Sequence, residues 1–224
     1  MKTIYSLFLL IFLIIISAHS VGCADKMTET EEILLRLTRS FNKINNYSAE
    51  VEMTSSDGQS EIKYLGKFYY QSPHFYRTDL YVGSELQYII VEDGVAKFNY
   101  ARWLNTVFKY DLTEKVNEEE DLISTVKFFS NRNDIEFVGM EKIDDEILYS
   151  FKTKMATNNR NYKYYLTKEG IIKSIFMLNK ETGVNIEKKL HNIHVDTEID
   201  QALFHFEYPN GVQVREIKSQ KDKK

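Results

Sequence analysis

The side chains best suited to chemistry are few and poorly grouped. Beyond the first stretch of the chain there are four histidines, His74, His191, His194 and His205. His191 and His194 are three residues apart, so a regular strand points them to opposite faces and denies them a shared metal ion. His205 alternates with Phe204 and Phe206, which puts it on the outward side. The acidic run Glu118 to Asp121 lacks the alternating oxygen ligands and central glycine of a calcium loop. Carboxylates early in a helix favour its positive end, so this run reads as a solvated first turn. There is no Gly-x-Ser-x-Gly elbow, phosphate loop, zinc-binding helix motif or dinucleotide fingerprint. Carboxylates abound, yet none has a spacing that marks a glycosidase pair. The expectation is a protein that is not an enzyme and uses neither metal nor cofactor.

The one cysteine, Cys23, follows directly on an apolar run. A disulfide within the chain, a cysteine nucleophile in the domain and a multi-cysteine metal site are therefore excluded. Lys2 and the apolar core Leu7 to Ile16 have the make-up of an export signal. That core is about ten to thirteen residues, short of the roughly 20 that span a bilayer. Ser20-Val21-Gly22-Cys23 resembles a bacterial lipobox, with Ser20 where leucine is usual. Lipidation of Cys23 would anchor the protein at a membrane surface outside the cytoplasm, since two acyl chains hold firmly where one binds marginally. Ordinary cleavage after Ala18-His19-Ser20 is the rival reading. The chain divides into residues 1–23 as signal, 24–217 as a single domain and 218–224 as a lysine-rich, solvated tail.

The remaining information is apolar. The chain has 224 residues, a net charge of −4, and 13% aromatic residues with 15 Tyr and 14 Phe. No basic stripe suits a phosphate backbone, which argues against nucleic acid as a partner. From Ile62 to Leu112, segments rich in Tyr and Phe alternate with period two between Gly and Asn turns, as antiparallel strands do. Tyr64, Phe68, Phe75, Tyr88, Ile90, Phe98, Tyr100 and Phe108 are the candidate binding residues, read as one aromatic wall. The wall is either a filled core, or a groove for an acyl chain or a surface for another protein.

The elements that must carry this wall follow from pattern. Thr28-Glu29-Thr30-Glu31 forms a capping-box sequence ahead of Ile33, Leu34, Leu37, Phe41 and Ile44 at helical spacing. Hairpin signals then recur at Ser56-Asp57-Gly58, Glu92-Asp93-Gly94, Asp144-Asp145, Glu169-Gly170 and Lys180 to Gly183. Gly66 interrupts a strand, which marks a bulge or a bend. A second helix is expected from Leu122, Ile123, Val126 and Phe129. A last strand is expected at Leu203 to Tyr208, and Val212 to Ile217 is able to pair once more. The fold class is mainly β with two helices (α+β). Its expected form is an open antiparallel half-barrel of about ten or eleven strands covered by helices.

The order of segments carries a resemblance. A helix, Tyr47 to Met53, a glycine-broken strand, Ser72-Pro73-His74-Phe75-Tyr76-Arg77, Gln87 to Gly94, and Phe98-Asn99-Tyr100 succeed one another. The chain then closes on Phe204-His205-Phe206-Glu207-Tyr208-Pro209-Asn210-Gly211-Val212. This resembles the LolA/LolB-type superfamily of bacterial lipoprotein carriers over roughly Glu31 to Ile217. The resemblance implies an open β-barrel lidded by helices that holds hydrophobic cargo or a partner without catalysis. Carriers of the family typically place Arg before the proline that is Pro73 here, and this chain has Ser72. A lipidated member of this composition is similar to the GerS-like branch of spore-forming Gram-positive bacteria. That likeness implies a part in sporulation or germination, assisting a peptidoglycan amidase through protein contact.

Overall fold

The computed structural model describes residues 27–112, 134–153 and 159–217. The expected signal with Cys23, the second helix and the lysine-rich tail lie outside the described residues.

Helix α1 spans Glu29–Phe41. Its capping box is closed in both directions: Thr28 Oγ1 accepts from the Glu31 amide at 3.3 Å, and a Glu31 carboxylate oxygen accepts from the Thr28 amide at 2.7 Å. Two orphan donors of the first turn are thereby satisfied. Leu34, Leu37 and Phe41 form the buried stripe.

Among the described residues twelve strands make one sheet, one or two more than the hairpin count predicts. They are β1 (Asn46–Ser56), β2 (Glu61–Gln71), β3 (Phe75–Val82), β4 (Glu85–Asp93), β5 (Ala96–Ala101), β6 (Thr106–Asp111), β7 (Ile135–Ile143), β8 (Glu146–Thr153), β9 (Arg160–Leu166), β10 (Ile172–Asn179), β11 (Asn185–Val195) and β12 (Gln213–Ile217). The spatial order is β12-β6-β5-β4-β3-β2-β1-β11-β10-β9-β8-β7, an open sheet with β12 and β7 at its edges. Two meanders, β1 to β6 and β7 to β11, are joined where β1 pairs with β11. Every pairing is antiparallel except β12 on β6, which is parallel. That exception follows from the path of the chain: β11 ends in mid-sheet, and residues 196–212 cross to the far edge before pairing.

The segment expected as a strand from Leu203 to Tyr208 is a correction. Gln201–Phe204 is a short 3-10 turn, and Phe206 and Tyr208 follow without a ladder. The alternation is real, but it serves packing onto the outside of the sheet. At Gly66 no register shift occurs on either neighbouring strand. A Cβ there would lie 1.8 Å from the Asp79 carbonyl oxygen, so the glycine permits a close approach of β3.

The core divides by face. The larger cluster lies on the helix side, here called the inner face, and joins α1 to Tyr47, Val51, Phe68, Tyr76, Phe151 and Ile175 among others. The smaller cluster, Val91, Ala96, Phe98, Tyr100, Val107 and Phe206, lies on the outer face. Helix α1 bridges distant strands of the inner face. Thr30 Oγ1 accepts from the Phe137 amide of β7 at 3.1 Å, while the Phe41 ring lies 5.3 Å from that of Tyr70 in β2. No described helix is long and apolar enough to cross a membrane.

Candidate ligand-binding face

The eight candidate residues do not form one wall. Phe68 of β2 opposes Thr78 of β3, Thr78 opposes Ile90 of β4, Ile90 opposes Asn99 of β5, and Asn99 opposes Phe108 of β6. This transverse row belongs to the inner face. One same-face step along β4 and two along β2, Tyr64 meets Tyr88 edge-on at 5.7 Å, and Trp103 caps Tyr88 at 4.4 Å. Tyr64, Phe68, Tyr88, Ile90 and Phe108 are therefore brought together. Phe68, beside the helix, is buried, whereas Tyr88, Ile90 and Phe108 are half-buried.

Phe75, Phe98 and Tyr100 are on the other side. Phe75 packs on Phe204 at 5.7 Å, and Phe98 stacks on Phe206 at 5.0 Å with the rings 3° from parallel. Tyr100 is buried in the same outer cluster. The cause is register. Across the β4–β5 hairpin Glu92 opposes Lys97, so even-numbered residues of one strand face with odd-numbered residues of the other. Ile90 thus shares a face with Asn99, and Val91 with Phe98. A change of one residue in a turn flips every later side chain. The outer rings are roofed by the chain from residue 200 to 212, and Arg77 clamps that roof by donating to the Leu203 carbonyl at 3.0 Å while paired with Asp79.

Three polar residues of the inner face escape a reading that looks for rings. Thr78 is 1% exposed, and its hydroxyl has no hydrogen-bond partner among the described residues; the same holds for the buried Oδ1 of Asn99. Lys188 of β11 is 6% exposed, with its ammonium nitrogen 5.2 Å from the centroid of the Phe68 ring. The signal is present in the alternation itself. Ile186, Lys188 and Leu190 share one face of β11, and Tyr76, Thr78 and Leu80 share one face of β3, so a polar residue stands in each apolar phase.

The aromatic environment perturbs ionisation. Burial pushes the Tyr88 hydroxyl up to about 12, with the neighbouring Tyr64 adding to it. Burial, and secondarily Tyr70, pushes Tyr47 up as well. Both rings stay neutral at ordinary pH.

The outer face over β1, β2, β3 and β11 holds an open groove of about 840 Å³, lined by Glu50, Glu52, Leu65, Lys67, Asp79 and His191 among others. Its carboxylates are engaged: Glu50 accepts from Asn192 at 2.9 Å, and Lys63 bonds Glu52 at 2.9 Å, holding that carboxyl below its usual range. The histidine pair is a second correction. A bulge at Asn192, with φ of 48°, makes Ser48 oppose His194 and Glu50 oppose His191, which returns both imidazoles to the outer face. Even so, no group of three or more His, Cys, Asp or Glu among the described residues is placed to hold a metal ion.

No family model matches the chain, and no curated protein matches it. Solved structures do. An uncharacterized conserved protein from Thermus thermophilus aligns over 85% of this chain and 100% of its own, at 13% identity and a TM-score of 0.56. A putative outer membrane lipoprotein-sorting protein domain from Vibrio parahaemolyticus covers 78% of this chain and 95% of its own, at 11% identity and a TM-score of 0.46. A LolA superfamily protein from Nitrosomonas europaea covers 82% and 100%, at 10% identity and a TM-score of 0.44. At 13% identity the likeness to the Thermus thermophilus protein is one of fold alone.

Proposed function

We propose that this chain is a membrane-anchored, extracytoplasmic lipoprotein that holds acyl chains against the inner face of its sheet and catalyses no reaction. The observation that carries the reading is the gathering of Tyr64, Phe68, Tyr88, Ile90 and Phe108 on one side of the sheet, with Tyr88, Ile90 and Phe108 half-buried. Curvature supports it. β2 and β7 are six strand spacings apart, about 29 Å if flat. The rise of α1 from Thr30 to Phe41 is only about 17 Å. The helix reaches both strands through its side chains, which supports a sheet that wraps toward it as a half-barrel around a trough. Lipidation of Cys23 keeps the trough at a membrane surface.

The test is extraction of non-covalently held lipid from protein purified out of native membranes, read by mass spectrometry. Acyl lipids are expected in stoichiometric amount and are lost in Tyr88→Glu. Protein that carries no extractable acyl chain contradicts the reading.

A second reading is favoured by Ser72, which stands where the carriers that this chain resembles place Arg. On that reading the domain docks a protein, a cell-wall amidase acting in sporulation or germination. It is tested by whether the domain retains a purified amidase of its own organism, and whether the cells germinate without it. Failure of both removes it.

A further inference from the structure

Three neighbouring turns at one end of the sheet, β1–β2, β3–β4 and β5–β6, hold large apolar side chains in water. Trp103 is 56% exposed and Leu104 51% exposed on the 3-10 turn Arg102–Leu104. Val82 is exposed where β3 ends, and Ile62 near the start of β2. Single exposed apolar residues are ordinary, but a row of them over adjacent turns marks a contact surface. The exposure is built in by bracing. Asn105 ends the turn in the left-handed region at φ 43°, and its side-chain amide donates to the Gly211 carbonyl at 3.0 Å. The Thr106 hydroxyl donates to the Leu104 carbonyl at 2.9 Å, and Arg102 pairs with Glu85 at 3.5 Å, tying this turn to the β3–β4 turn. A braced tip that holds an indole and a leucine outward suits the zone between lipid headgroups and hydrocarbon, where tryptophan is favoured.

The path of α1 says what covers these tips. One row of pairings crosses the sheet from Phe137 of β7 through Phe151, Ile175 and Met53 to Tyr64 of β2. Thr30, in the first turn of α1, accepts from the Phe137 amide at one end of that row. At the other end the Tyr64 ring meets Tyr88, which Trp103 caps. Phe41, in the last turn of α1, lies against Tyr70, further along β2 and away from the tips. The chain therefore enters α1 from the end of the sheet that carries the tips. Met27 is four residues after Cys23, a stretch that spans at most about 14 Å. A lipid on Cys23 thus draws this end of the domain toward the bilayer.

We propose that Trp103, Leu104, Val82 and Ile62 form a rim that inserts into the interfacial zone of the bilayer holding the anchor, so that the domain stands on the membrane in one orientation. This rests on the membrane-anchored reading above and adds an orientation to it. The attraction is apolar: the charges beside the tips are paired, Arg102 with Glu85 and Lys63 with Glu52, so the rim takes neutral and anionic bilayers alike.

Trp103 is the only tryptophan in the chain, so its fluorescence reports the rim directly. The full chain, purified from native membranes, is reconstituted into phosphatidylcholine vesicles with and without phosphatidylglycerol, part of the phosphatidylcholine being brominated on its acyl chains. Flotation reads the anchoring. Trp103 emission is expected to shift to shorter wavelength and to be quenched equally in both compositions. Leu104→Asp and Val82→Asp, both at exposed positions, each lower the inserted fraction about tenfold, the effect of keeping one apolar side chain in water. A chain that floats while Trp103 escapes quenching overturns the rim as a lipid contact, leaves it to a protein, and leaves the anchored reading standing. A chain that neither floats nor is quenched overturns both. Quenching that survives both substitutions comes from one lipid held beside Tyr88, and quenching that needs phosphatidylglycerol comes from charge; either overturns the rim.

Discussion

Ile90 and Val91 are neighbours in β4 and belong to different parts of the molecule. Ile90 lies on the inner face beside Tyr88 and Thr78; Val91 is fully buried in the outer cluster with Phe206. The outer rings are stacked, roofed by residues 200–212 and clamped by Arg77. The inner rings of the same strands are half-buried and border polar atoms that have no partner among the described residues. A sheet that closes one face with its own chain and lines the other with half-buried rings separates, between alternate residues, packing on one side from the proposed binding on the other. Elsewhere the outer face takes a third form: over β7 to β10 it carries Lys152–Glu136, Lys163–Glu141 and Lys173–Glu146 pairs, a charged surface facing water.

That division is open to attack from each side. The largest effect is expected from Phe206→Ala, which removes the ring stacked on Phe98 and lowers stability by about 3 to 5 kcal/mol in urea unfolding. Well below the new transition the variant should retain its lipid, because the lost ring is on the outer side. Gly66→Ala comes next. Its Cβ would collide with the Asp79 carbonyl, and a loss of about 3 kcal/mol is expected, with lipid retention falling as well, since parting β2 from β3 disturbs both faces. Thr28→Ala opens the capping box and should cost about 1 kcal/mol, measured by the same unfolding.

The smallest effect is seen in alkaline titration. Tyr88 has its pKa raised from an ordinary 10 to about 12 in the fold, so the neutral ring's contribution to stability is complete below pH 10. It is lost as pH climbs toward 12. Tyrosinate absorbance should rise late for this ring, and Tyr88→Phe should remove that late component. A titration unchanged by the substitution would place Tyr88 in water.

The sequence makes much of this legible. The capping box at Thr28 and the turns at Gly58, Gly94 and Gly183 are written in local chemistry. What is missed depends on register. Phe98 and Tyr100 look like continuations of Tyr88 and Ile90, but the β4–β5 turn shifts their phase. His191 and His194 look opposed, but the bulge at Asn192 reunites them. The Phe204–Phe206–Tyr208 alternation looks like a strand, yet its rings pack on Phe75 and Phe98 without a ladder. The first two turn on one residue more or less between two pairings, a quantity that tertiary contacts fix; the third is decided by packing alone. Lys188 and Thr78 are visible in the sequence as polar residues in apolar phases; only their placement on the same face, beside Phe68, needs the fold.

The most direct test of the division is cross-linking with a photoactivatable diazirine fatty acid, followed by peptide mapping of the labelled chain. The account predicts label on Tyr88, Ile90 and Phe108, blocked by excess unlabelled acid, with Phe75, Phe98 and Tyr100 unlabelled. Label concentrated on the outer three, or label that excess acid does not block, would contradict it.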